Sequence, residues 1–177
     1  MNLQPAIFLD RDGTLMEEAG YCADPRKVRV FDGVPAALEE LRLAGYRLIL
    51  VTNQSGIGRG YFTVEDYRAV QAEFERQILP AYLDAVYFCP DAPDAPSKRR
   101  KPAPGMLLEA AQEHGIDLPR SWMVGDKASD IACGLAAGCR TLLVLTGYGS
   151  AQVGVAKAPT AATFTEAVRL ILTSSRP

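Results

Sequence analysis

Aspartates stand where two short apolar runs of this chain end. PAIFLD closes on Asp10, with Asp12 two residues later, and SWMVGD closes on Asp126, with Asp130 one helical turn on. A third run, YRLILVTN, ends in Thr52 and Asn53, and Lys101 lies in a long loop after a fourth, LDAVYFCP. A carboxylate can attack phosphorus and form an acyl phosphate, which divides a difficult hydrolysis into two easier steps. Asp10 is placed to do this, and Asp12 to protonate the leaving alcohol and then activate water. Acids this close repel one another unless a hard cation with oxygen ligands, such as Mg²⁺, lies among them. Thr52 and Lys101 are suited to holding the nonbridging oxygens as charge develops, and the DGT turn at 12–14 offers backbone amides for the same purpose.

The elements that must position these groups alternate. The apolar runs are read as strands, and a fifth follows in CRTLLVLTG. Between them GVPAALEELRLAG places Val34, Leu38, Leu41 and Ala44 on one helical face and stops at Gly45. FTVEDYRAVQAEFERQILPAY opens with a Thr63–Asp66 capping box. PGMLLEAAQEHG has Pro104 in its first turn, KASDIACGLAAG is a further helix, and TAATFTEAVRLILTS the last. DAPDAPSKRRKPAPG is rich in proline and charge and is a loop. Strands separated by helices predict an α/β architecture: three layers, with a parallel sheet covered on both faces. The intervals leave no room for a large cap domain, and the expected organisation is one domain over 1–177. In such a sheet ligands bind beyond the carboxyl ends of the strands.

Each motif alone has an ordinary explanation. Asp10-x-Asp12 is a turn, VTNQSG a strand with a glycine turn, and Lys98–Lys101 a solvated loop. VGDKASD is a helix start with Asp126 as its N-cap. Their convergence on one sheet edge is what argues for a site.

Composition excludes other classes. The 177 residues carry 19 basic and 21 acidic side chains for a net charge of -2, and no tail or face is basic enough to suggest nucleic-acid binding as the main role. No apolar run is long enough to span a bilayer, and no secretory leader is visible. Four cysteines, at 22, 89, 133 and 139, are too few and scattered for a disulfide framework. No P-loop run occurs, which argues against a kinase of that type. The expectation is a cytoplasmic monomer with a small-molecule partner, and no nucleic-acid or membrane partner.

FLDRDGT (8–14), VTNQSG (51–56), RKP (100–102) and MVGDKASD (123–130) together resemble the four motifs of the haloacid dehalogenase superfamily of phosphatases. The resemblance runs from about residue 5 to about residue 150 and implies a Rossmann-like fold. Within it, TNQSGIGRGYF, KPAPGM and GDKASD are similar to the family acting on D-glycero-D-manno-heptose 1,7-bisphosphate, on the route to activated heptose for lipopolysaccharide or related glycans. Histidinol-phosphate phosphatases are the runner-up, and a binding protein that has kept the fold without turnover is the alternative of another class. The resemblance implies Asp10 as nucleophile, Asp12 as acid and base, and Thr52 and Lys101 as phosphate clamp. It also implies Asp10, the main-chain carbonyl of Asp12 and Asp126 as Mg²⁺ ligands with Asp130 behind them. Asn53, Ser55, Arg59, Arg100 and Lys127 are the implied substrate contacts.

Many members of the superfamily's relevant branch hold structural Zn²⁺ through a Cys-x-His pair and a later Cys-x-Cys pair. Here only Cys89 remains; Asp91, Ser97 and Arg99 occupy the other positions. One soft ligand cannot make a closed tetrahedral site, so no zinc is expected, and Pro90, Pro93, Pro96 and Pro102 are expected to stiffen the loop. His114 is read as a helix-end residue, Trp122 and Met123 as packing, and Cys133 and Cys139 as small buried residues. The stretch GYGSAQVGVAKAPTAATF offers no motif.

Overall fold

The computed structural model describes residues 3–174; residues 1–2 and 175–177, the ends of the expected domain, lie outside the described residues. Six parallel strands, β1 (Ala6–Leu9), β2 (Arg47–Asn53), β3 (Ala85–Cys89), β4 (Trp122–Gly125), β5 (Arg140–Val144) and β6 (Thr160–Ala161), form one sheet in the order β3-β2-β1-β4-β5-β6. The chain moves outward from β1 through β2 to β3, then returns to place β4 on the other side of β1. The crevice between the carboxyl ends of β1 and β4 is therefore the switch point, where a doubly wound sheet opens a ligand site.

Among the described residues seven α-helices complete the layers: α1 (Val34–Leu43), α2 (Ser55–Gly58), α3 (Val64–Gln77), α4 (Gly105–His114), α5 (Ala128–Ala136), α6 (Gly149–Ala156) and α7 (Phe164–Ser174). All of β1 is buried on both faces. Its alternation sends Ile7 and Leu9 to a core with Leu38 of α1, Phe74 of α3 and Val168 of α7. Ala6 and Phe8 face the opposite core, with Leu107 of α4 and Cys133 of α5. Trp122 lies in the first of these cores, and Met123, Cys133 and Cys139 lie in the second, as small or apolar packing residues should.

The expected Thr63–Asp66 capping box opens α3. Three local expectations shift. Ala44 is the exposed C-cap of α1, because Gly45 at φ +88° has already turned the chain out of the helix. Pro104 stands one residue before α4, as its N-cap. The Gly/Ala-rich segment after β5 carries both α6 and the edge strand β6. It shows neither the apolar stripe nor the β-branched run that announces such elements, because α6 is mostly exposed and β6 has two residues.

Candidate active site

A cavity of about 630 Å³ opens beyond the strand ends; Asp10, Asp12, Thr52, Arg100, Lys101 and Lys127 are among its walls. Its floor is made by the chain where β1 and β4 end. The Asp10 amide bonds to the Val124 carbonyl at 3.0 Å, so the residue stays pinned across the crevice after its strand stops. Lys101 comes from the loop after β3 and enters the floor almost completely buried. Its ammonium donates to Asp10 Oδ1 at 2.6 Å, to the Val51 carbonyl at 2.8 Å and pairs with Asp130 Oδ1 at 2.7 Å. All three ammonium protons are thereby engaged. Burial works against the Lys101 charge, but Asp10 and Asp130 more than offset it and hold its pKa above the ordinary value. No donor among the described residues reaches Asp10 Oδ2.

Lys101 is held by Asn53. The Asn53 amide donates to the Lys101 carbonyl at 3.1 Å and accepts from the Lys101 amide at 3.1 Å, a two-point pin on the main chain. Asn53 lines the cavity as expected of a substrate contact, but its side-chain amide is already engaged by this pin.

Asp126 is the fully buried carboxylate at the end of β4. It does not cap α5: Lys127 is the N-cap residue, and Asp130 Oδ2 accepts from its amide at 3.0 Å. The ordinary explanation of Asp126 therefore fails, while Asp130 is doubly engaged as helix cap and Lys101 partner. Asp126 Oδ2 accepts from the Tyr148 amide at 2.8 Å, and Oδ1 is buried with no hydrogen-bond partner. Gly13 and Gly147 press on it, both at positive φ, and a Cβ on either would fall on Asp126 Oδ2. The Thr146 hydroxyl ties the two turns together by donating to the Gly13 carbonyl at 2.6 Å.

The electrostatics of this floor call for a cation. Ligand atoms of Asp10, Asp126 and Asp130 lie within 4.8 Å of one another. Desolvation, then the charge of Asp10, pushes Asp126 up to about 7. Burial likewise raises Asp130, opposed by Lys101. An orphaned Oδ1 beside a second carboxylate is an oxygen donor set suited to a hard divalent ion such as Mg²⁺. Asp10 and Asp126 have the open oxygens to hold it, and the main-chain carbonyl of Asp12 lies two residues from Asp10. In the loop after β3, where no zinc is expected, the Cys89 thiol donates to Asp91 at 3.3 Å and lies 3.5 Å from the Ser97 hydroxyl. Ser97 Oγ in turn accepts from the amides of Arg99 and Arg100, at 3.2 and 3.0 Å. A thiol, a carboxylate and a hydroxyl thus fold this loop by hydrogen bonding, a role expected of the prolines.

The Asp12 carboxylate lines the cavity and accepts from Arg11 and Gln54. Arg11 is wholly buried, also bonds Gln71 at 3.1 Å, and lies over the Tyr67 ring. Higher on the wall, Arg100 donates to the Asp91 carbonyl at 3.2 Å. Lys127 pairs with Glu18 at 3.3 Å and sits 4.6 Å over the Tyr148 ring. Its burial is outweighed by Asp10, Asp126 and Glu18, which raise its pKa. Ser55 joins the wall; Arg59 does not, since it caps the short α2 with an exposed side chain outside the cavity lining.

Sequence reasoning missed Gln54, Arg11, Glu18, Tyr148 and Gln152. The first two lie inside motifs already singled out, as the residue after Thr52-Asn53 and the one between two acids. The last two come from α6 and its N-cap, which had no signal.

Residues 98–169 match the HAD-hydrolase-like family model. A D-glycero-beta-D-manno-heptose-1,7-bisphosphate 7-phosphatase from Yersinia pestis is 43% identical over 164 residues, 87% of either chain. One from Helicobacter pylori (strain J99) is 41% identical over 144 residues, 80% of this chain and 83% of the relative. The chain belongs to the D-glycero-D-manno-heptose-1,7-bisphosphate 7-phosphatase family of the haloacid dehalogenase superfamily. The structure of a D,D-heptose 1,7-bisphosphate phosphatase from B. bronchiseptica, complexed with magnesium and phosphate, superposes at a TM-score of 0.89 with 28% identity. It covers 97% of this chain and 99% of its own. Like the family, this chain is a phosphomonoesterase with an aspartate-based site and no large cap domain. No helix among the described residues is long and apolar enough to cross a membrane.

Proposed function

We propose that residues 1–177 form one phosphatase domain that removes the 7-phosphate of D-glycero-D-manno-heptose 1,7-bisphosphate. The observation that carries this reading is the buried Asp10–Lys101 pair at 2.6 Å, set at the switch point of a fold shared with relatives that bear this activity in their names. The Asp10 carboxylate attacks phosphorus, and Asp12 gives a proton to the sugar oxygen as the ester bond breaks. Water then attacks the phosphorus of the aspartyl phosphate, loses its proton to Asp12, and inorganic phosphate leaves. Thr52 holds a nonbridging oxygen through both steps, while Lys101, its protons engaged within the protein, fixes the Asp10 carboxylate and places a positive charge beside the transferring phosphoryl group. Asp10, Asp126 and the Asp12 carbonyl would hold Mg²⁺, which would supply charge neutralisation at the phosphoryl oxygens.

The second phosphate supports the choice of substrate. A bisphosphate carries more negative charge than the floor alone can meet, and Arg100 and Lys127 offer cations higher in the same cavity. The deciding experiment measures phosphate release with Mg²⁺ from both anomers of the heptose bisphosphate, with histidinol phosphate and simple sugar phosphates alongside, and identifies the sugar product. A preference of about a hundredfold in kcat/KM for one heptose anomer, with heptose 1-phosphate as product, is the expected result. Faster turnover of histidinol phosphate would overturn it.

A further inference from the structure

We propose that Gln54 is a positioning residue for phosphoryl transfer: one side-chain amide orients the Asp12 carboxylate and sets the direction of the Thr52 hydroxyl proton. The inference rests on the roles given above to Asp12 and Thr52, and deepens them.

The argument is one of donors and acceptors. Arg11 donates to Asp12 through Nε and one terminal nitrogen, to Oδ2 at 3.2 Å and to Oδ1 at 3.3 Å. A carboxylate so held offers acceptors, so the Gln54 amide must face it with nitrogen, and Nε2 lies 3.0 Å from Asp12 Oδ2. The same nitrogen lies 2.8 Å from Thr52 Oγ1. Both amide hydrogens are then spent, one on each residue. Thr52 must accept, and a hydroxyl that accepts from Gln54 keeps its single proton for another partner. No acceptor for that proton occurs among the described residues, and Thr52 faces the cavity. The proton is thereby reserved for an anionic oxygen arriving there. Gln54 is nearly buried, and its main-chain amide bonds the Cys89 carbonyl at 2.8 Å, independently of the side chain. Substituting the side chain therefore leaves the β2–β3 register in place.

Two variants test this. Gln54→Leu removes both bonds. Gln54→Glu keeps the shape but sets an acceptor against Thr52 and a like charge against Asp12. The readout is kcat/KM with Mg²⁺ for a sugar phosphate that the wild type accepts and for p-nitrophenyl phosphate, whose leaving group needs little protonation. A misaligned Asp12 should cost the sugar ester at least about tenfold more than the aryl ester, with Gln54→Glu the worse variant. Combined with Thr52→Val, Gln54→Leu should show less than the product of the two single losses. Equal losses on both esters with multiplicative combination, or activity within about twofold of wild type, would overturn the inference. Should Gln54→Leu fail to fold, the isosteric Gln54→Glu carries the same comparison. A wild type that ignores the heptose bisphosphate but hydrolyses other sugar phosphates would sink the substrate reading and leave this comparison intact.

Discussion

On the cavity floor Asp10, Lys101, Asp126 and Asp130 are each 5% exposed or less, and Lys101 holds Asp10 and Asp130 directly. On the wall the Lys127 side chain keeps 39% of its exposure, and the Arg100 guanidinium donates to a loop carbonyl. The floor hangs from strand ends and from a two-point amide pin. The wall hangs from a loop folded by a thiol, a carboxylate and a hydroxyl, and from a helix N-cap. A rigid, desolvated floor serves chemistry, since preorganised charges are strongest where water is excluded. A half-exposed wall serves recognition, where screened contacts are weaker and easier to exchange. Substitutions on the floor should therefore act on kcat and on stability together, and substitutions on the wall on KM.

The largest effect expected is Asp10→Asn. It removes the nucleophile and should lower kcat by about 10⁴-fold or more, measured as phosphate release at saturating substrate. The fold should survive, because asparagine keeps the shape and relieves repulsion with Asp126. Lys101→Met tests the same region from the other side. It leaves Asp10 and Asp130 as unpaired buried charges, a lesion that typically costs about 3–5 kcal/mol. Thermal unfolding should drop accordingly, and more without Mg²⁺ than with it. A Lys101→Met protein as stable as wild type would mean that the floor is less tightly coupled than its distances imply.

How far the sequence reveals these two regions follows from the same difference. Asp10, Thr52 and Asp126 sit at strand ends, which are announced by apolar runs that stop abruptly, so they were legible; Lys101 was legible only through the motif in the loop after β3. The sheet edge that gathers them was legible too. The wall was less so. Arg59 follows a glycine-rich turn, and nothing in its spacing says that α2 points it outward. Tyr148 and Gln152 belong to a short helix of small residues with no apolar stripe. The hydrogen-bond ties of Asn53 and Gln54 depend on contacts 48 and 42 residues away in sequence, which no local pattern carries.

A next, smaller effect is thermodynamic and reads the floor's need for a cation. Asp126 is raised in the folded chain to about 7 from an ordinary 3.8, by burial and then by Asp10. Between those values the folded state binds more protons than the unfolded state. Without Mg²⁺, its contribution to stability is complete below about pH 3.8 and is lost as pH rises through about 7. Mg²⁺ competes with that proton, so the rise in melting temperature it produces should be larger at pH 8 than at pH 5.5. Asp126→Asn should flatten that difference. An equal Mg²⁺ shift at both pH values would place the ion elsewhere.

The smallest effects belong to the wall, and they divide it. Arg100→Ala removes a guanidinium that lines the cavity, and a lost hydrogen bond to a charged group typically costs about 1.5–3 kcal/mol. KM for the bisphosphate should therefore rise about tenfold or more, with kcat nearly unchanged. Arg59→Ala should change either constant by no more than about twofold, since an exposed side chain away from the cavity contributes little. The contrast is informative because both arginines read alike in sequence, as cations flanking a motif. If Arg59→Ala instead raised KM as Arg100→Ala does, α2 would have to swing its C-terminal end over the cavity when substrate binds. The wall would then be assembled by the ligand, while the floor is complete without it.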